Sequence, residues 1–200
     1  MTSSPNLYRH AAIIVAAIAL GGPVSAARGA DSDTSPAASA TPEISEAARK
    51  AYAASMRDAR ALLTQKKYDD AIAKLDQLAS ERPREPQARF LKAVALTDQK
   101  KPDAAIAAYR ALVADFPEMP EPHNNLAVLY AQKGELALAR DELLVAVATA
   151  PDYALAHENL GDVYAQLAAE QYERAASIDK RNKTAGPKLK TVRDAIQTAP

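Results

Sequence analysis

"NLAVLYAQKGELALARDELLVAVATAP", residues 125–151, and "NLGDVYAQLAAEQYERAASIDK", residues 159–180, begin alike and stand 34 residues apart. The second reaches its next large anchor in five fewer residues: "AQKGELALARDE" separates Tyr130 from Leu143, but only "AQLAAEQ" separates Tyr164 from Tyr172. The lost part is the turn itself. What remains, Leu167 to Gln171, is made of good helix formers and holds no breaker. The spacing therefore predicts one continuous helix over residues 154 to about 179, on the order of 39 Å long.

The 34-residue interval extends upstream. Ala59, Ala93, Ala127 and Gly161 recur at it, and so do Leu62, Leu96, Tyr130 and Tyr164 three positions later. A second small residue follows at Ala71, Ala105 and Ala139, then a large one at Leu75, Tyr109 and Leu143, and Pro83, Pro117 and Pro151 close the three copies. A small residue lets two helices approach, and a large one a turn away fills the groove beside it. Proline ends a helix and opens the next unit. The Lys66-Lys67 and Lys100-Lys101 pairs and Gly134 mark a short turn inside each unit, and Pro102 pre-sets a helix start. Alternating β-type runs and Asn-Gly turns are missing.

On these residues the chain resembles the tetratricopeptide repeat (TPR) family. The resemblance implies an all-α, right-handed solenoid of helical hairpins over residues 43–200, with repeats at about 52–85, 86–119 and 120–153, and an atypical one at 154–182. One hairpin alone cannot bury its apolar faces, whereas stacked hairpins build a continuous core. The long fourth helix carries an apolar stripe through Leu160, Tyr164, Leu167, Ala168, Ala175 and Ile178, and its far half overshoots the stack. A cap helix at about 185–198, with Leu189, Val192 and Ile196 at helical spacing, is the expected cover. The alternative is a deletion that is merely tolerated.

Before the repeats, Arg9 precedes the apolar run 11–20, and Gly21, Gly22 and Pro23 break it ahead of "PVSAA". Val24 and Ala26 fit the small-residue rule for cleavage after Ala26, so residues 1–26 read as an export signal. An uncleaved anchor would need about 20 apolar residues. Residues 27–42, rich in Ala, Ser, Asp and Pro, read as a flexible linker. Thr41, Pro42 and Glu43 then suit a helix start. The chain has no cysteine, which excludes disulfides and a lipidated N-terminal cysteine. Together with the Ala-rich leader and the repeat type, this points to a bacterial protein of the periplasm, or one secreted beyond it, with no stable membrane insertion after cleavage. Lys plus Arg and Asp plus Glu number 25 each, which argues against nucleic acid as a partner.

The motifs of catalysis are few. No Cys nucleophile, GxSxG, HExxH or phosphate-cradling loop is present. No cofactor is implied and the chain reads as a non-enzyme. His123 and His157, with Glu121 and Glu158 nearby, are a thin ligand set for a metal. Asp69-Asp70 reads as helix-dipole chemistry.

The TPR resemblance implies a concave groove lined by the first helices. Carried over by register, its positions are Met56, Arg60 and Leu63; Phe90, Val94 and Thr97; Asn124 and Val128, with Asn125 adjacent; and Glu158 and Asp162. The Lys/Asn carboxylate clamp of the best-known TPR grooves is replaced by Met56, Arg60, Phe90 and Val94, which puts a C-terminal carboxylate ligand in doubt. Two readings stand for Met56, Phe90 and Val94: packing between helices, or an exposed apolar patch for a partner. The expected function is a periplasmic adaptor that holds a peptide or a subunit of a cell-envelope assembly. The alternatives are a self-assembling homodimer paired through helix 154–179 and, third, a metal-binding or enzymatic role.

Overall fold

The structure, a computed structural model, describes residues 45–198. The leader over 1–26, the linker over 27–42 and the helix start at Thr41–Glu43 lie outside the described residues. Ser45 caps the first helix, its Oγ accepting from the Ala48 N–H at 3.2 Å. Eight helices follow: α1 (Glu46–Thr64), α2 (Tyr68–Glu81), α3 (Gln87–Asp98), α4 (Pro102–Asp115), α5 (Pro120–Gln132), α6 (Leu136–Thr149), α7 (Ala154–Ile178) and α8 (Ala185–Thr198). No strand occurs among the described residues, and none of these helices is long and apolar enough to cross a membrane.

The first three pairs of helices close by one device used three times. Lys66, Lys100 and Gly134, at the 34-residue interval, have φ of 59°, 60° and 78°. A left-handed residue just past a helix lets the next two N–H groups turn back onto the last carbonyls. Accordingly Lys66 donates to Leu63 and Lys67 to Leu62, Lys100 to Thr97 and Lys101 to Leu96, Gly134 to Ala131 and Glu135 to Tyr130. The counterpart in the fourth unit is a deletion, and α7 runs on without a break.

A second device joins one pair to the next. Arg82, Phe116 and Ala150 donate to Leu78, Leu112 and Ala146, while Glu85, Met119 and Tyr153 donate back to Arg82, Phe116 and Ala150. The same two bonds recur after α7, from Asp179 to Ala175 and from Asn182 to Asp179, only 29 residues beyond Ala150. The loop 179–182 is thus the usual loop between repeats, arriving early. α7 is a first and a second helix fused end to end, and Lys133–Ala137 is the stretch without a counterpart.

The core lies between consecutive helices. Ala59, Ala71, Ala93, Ala105, Ala127 and Ala139 are fully buried, which sets close interhelical distances, and Leu75, Tyr109, Leu112 and Leu143 fill the spaces between them. α8 packs along the far half of α7, as the expected cap does: Lys188 Nζ lies 5.7 Å from the Tyr172 ring centroid, and Arg193 reaches Glu173 at 2.9 Å. Leu189, Val192 and Ile196 are half-buried there. The cover is incomplete at two points of the expected stripe. Tyr164 stays 46% exposed and Ile178, at the hairpin tip, 77%.

Candidate partner groove

The first helices α1, α3, α5 and α7 succeed one another along the stack, and the predicted groove positions on them differ in how far neighbouring helices cover them. α3 and α5 are flanked on both sides. Phe90, Val94 and Asn124 are buried in consequence, and Met56, on the end helix α1, is buried in a core cluster with Leu75, Ala88 and Leu91. Phe90 sits edge-on to Tyr109, ring centroids 6.1 Å apart, and is only 2% exposed. The packing reading holds for these apolar side chains, and no open apolar patch forms at them. Leu63, Thr97, Asn125 and Val128 are half-buried along the rim. Arg60 on α1, and Glu158 and Asp162 on α7, are exposed at the two ends of the stack.

Between those ends runs a polar network. Asn159 Nδ2 donates to Asn124 Oδ1 at 2.8 Å, Asn124 Nδ2 to Asn125 Oδ1 at 3.3 Å, and Asn125 Nδ2 to the Tyr109 hydroxyl at 3.0 Å. Thr97 Oγ1 donates to the Ala93 carbonyl at 2.9 Å. Burial pushes the Tyr109 phenol well above its usual range, while hydrogen bonds from Asn125 and Thr97 oppose the shift. The network ties α4, α5 and α7 together and spends the amides of Asn124 and Asn125 on structure. Asn159 and Tyr109 belong to it but were not among the predicted positions. The Asn125 and Asn159 pair, 34 residues apart, was the available signal.

The acidic end differs. Glu158 and Asp162 lie one turn apart on α7, and among the described residues neither is joined to a cation in an ion pair. Burial and then the Glu158 charge push the Asp162 carboxyl up from its ordinary value. A cation there would relieve both costs.

His123 and His157 serve the loops. His123 Nε2 lies 3.3 Å from the Pro117 carbonyl and His157 Nε2 3.0 Å from that of Pro151, while His123 Nδ1 meets Glu142 at 2.6 Å. Among the described residues no three His, Cys, Asp or Glu side chains gather as a metal site would require.

The tetratricopeptide repeat family model matches residues 56–120 and 98–154, stopping where α7 begins. No curated protein matches the chain. Among solved structures, the first TPR domain of human RPAP3 superposes with a TM-score of 0.55 at 18% identity, over 60% of this chain and 94% of that one. The Yersinia enterocolitica type III secretion chaperone SycD, in complex with a peptide of the translocator YopD, gives 0.53 at 19%, over 62% and 98%. Pseudomonas aeruginosa pilF gives 0.54 at 19%, over 74% and 70%. At these identities the likeness is one of fold.

Proposed function

Residues 56–154 belong to the tetratricopeptide repeat family, and from that premise we propose that the chain is a non-enzymatic adaptor whose concave face holds an extended segment of a partner protein. The observation that carries this is the exposed pair Glu158 and Asp162, a like-charged site on α7 with no ion-pair partner among the described residues. A lysine or arginine of the ligand fits that end, and an acidic group fits Arg60 at the other, so that charge sets the direction of binding. The buried Phe90 and Val94 give the groove a rigid floor. The complex of SycD with a peptide of the translocator YopD supports peptide binding as a use of this fold. The leader-like residues 1–26 support a place in the periplasm, serving a cell-envelope assembly.

Fluorescence anisotropy with labelled peptides of opposite end charge tests the groove. Peptides with a Lys/Arg cluster are expected to bind, and the double variant Glu158→Gln/Asp162→Asn to bind them at least about tenfold more weakly, with a flatter salt dependence. Equal affinity of the two proteins for every peptide would remove the groove from consideration. For the location, N-terminal sequencing of the protein recovered from the periplasm should begin at Ala27. An intact leader on all of the mature material counts against export by cleavage.

A further inference from the structure

We propose that α7 pairs antiparallel with α7 of a second copy, each far half closing the other's near half, so that the fourth hairpin is completed only between two chains. The argument comes from comparing equal positions of the repeats. In closed hairpins the first helix presents a small residue and, three positions on, a large one to the second helix. Ala93 and Ala127 are fully buried there, and Leu96 and Tyr130 are 9% and 8% exposed. Their counterparts on α7 lie open. Gly161 is exposed, a Cβ at that position would meet nothing within 4 Å, and Tyr164 is 46% exposed.

The matching surface is present too, on the same helix. The second helices bury Ala71, Ala105 and Ala139, then Leu75, Tyr109 and Leu143, then Leu78, Leu112 and Ala146. With the five-residue shift these correspond to Ala168, Tyr172 and Ala175, each only half-buried. A continuous helix cannot fold onto itself, so the two halves of this interface never meet within one chain. Two copies related by a two-fold axis bring them together, which is the self-complementary arrangement that a symmetric dimer requires. With the axis near Gln166 and Leu167, Gly161 meets Tyr172 of the second copy and Tyr164 meets its Ala168. These pairs set small against large, and in the closed α5–α6 hairpin the equivalent residues, Ala127 and Tyr130 on α5 and Ala139 and Leu143 on α6, are buried in one core cluster. His157, exposed here, would face Gln171 of the second copy, as His123 meets Glu142.

α8 leaves room for this. It follows the loop 179–182 as α3, α5 and α7 follow theirs, and so takes the side of the far half that belongs to the next repeat. The exchange does not depend on the peptide groove, whose Glu158 and Asp162 occupy other turn positions of α7.

Light scattering and sedimentation velocity of the purified protein test the pairing. The expected result is a concentration-dependent dimer. Gly161→Arg should weaken it about 100-fold while leaving helix content unchanged, because no atom of the single chain fills that space. The chain has no cysteine of its own, so introduced thiols report cleanly. Gly161 and Tyr172 stand on one helix with Cα atoms about 16 Å apart, beyond the roughly 7 Å limit of a disulfide. The variant Gly161→Cys/Tyr172→Cys should therefore yield a disulfide-linked dimer on oxidation, and Gly161→Cys alone should not. Inserting Lys-Gly-Glu-Leu-Ala after Gln166 restores the turn and should return a monomer. The proposal fails if the protein is monomeric at every concentration it reaches in solution. It fails equally if Gly161→Arg leaves the dimer intact or the double-cysteine chain does not cross-link.

Discussion

The third hairpin and the last one share their opening residues, yet one closes and the other runs straight. Tyr130-Ala131-Gln132 leads into Lys133 and Gly134, where a φ of 78° turns the chain back, and Tyr164-Ala165-Gln166 leads into Leu167 and Ala168 inside a helix. Both sequences favour helix. The two outcomes are separated by the five-residue stretch Lys133–Ala137, which carries the positive-φ turn and has no counterpart after Gln166. The loop after α7 keeps its two hydrogen bonds although it arrives five residues early. Turns and connections in this chain are therefore independent local units, and removing one redirects the chain without unmaking the other.

The largest expected effect comes from removing the same side chain on both sides of this comparison. Tyr130 is closed over by α6, whereas Tyr164 has no second helix above it. Tyr130→Ala should cost about 3–4 kcal/mol, within the range of buried aromatic truncations, and Tyr164→Ala about 1 kcal/mol or less in a single chain. Urea unfolding of dilute protein measures both. Equal losses would mean that α7 is covered in a way the helices described here do not provide.

A smaller effect belongs to the turn. Gly134→Ala meets no neighbouring atom, so its cost is that of placing a Cβ at positive φ, about 1 kcal/mol. Lys66 and Lys100 already bear that cost, and Lys100→Gly should recover up to about 1 kcal/mol. If Lys100→Gly instead destabilises the protein, the lysine side chain contributes something beyond the turn, and the equivalence of the three turns is only geometric.

These residues also show how far the sequence could be read. The period of small and large side chains located every hairpin, because close helix approach and groove filling leave a one-dimensional trace. The missing turn foretold α7 for the same reason: a helix needs a reason to stop, and none is encoded between Leu167 and Gln171. Groove exposure was not legible. Phe90 and Glu158 occupy equal register positions, one sealed against Tyr109 of α4 and one open, and Met56 at the same register on the end helix α1 is sealed as well. That depends on which side chains of the neighbouring helices reach a position, which no local pattern states. Asn124 and Asn125 were legible as polar groove residues but not as donors already committed to Asn125 and Tyr109. Tyr164 and Ile178 were expected under cover, and the stripe was real, but α8 lies along only one side of it.

The smallest effect sharpens the contrast between the paired charges elsewhere and the unpaired ones on α7. Asp162→Asn removes a like charge one turn from Glu158, and should raise stability at neutral pH by about 0.3 kcal/mol. The sign with pH follows from the carboxyl's raised value in the folded chain. The unfolded chain holds this group ionised at pH values where the folded chain already takes up a proton. Folding then gains a proton, and the destabilisation present at neutral pH fades as pH falls through the folded value toward the ordinary one. The difference between wild type and Asp162→Asn in urea midpoint should therefore shrink in mildly acidic buffer. A difference that widens on acidification would mean that a cation holds Asp162 ionised in the folded protein, and the open acidic end of the groove would have to be reassigned.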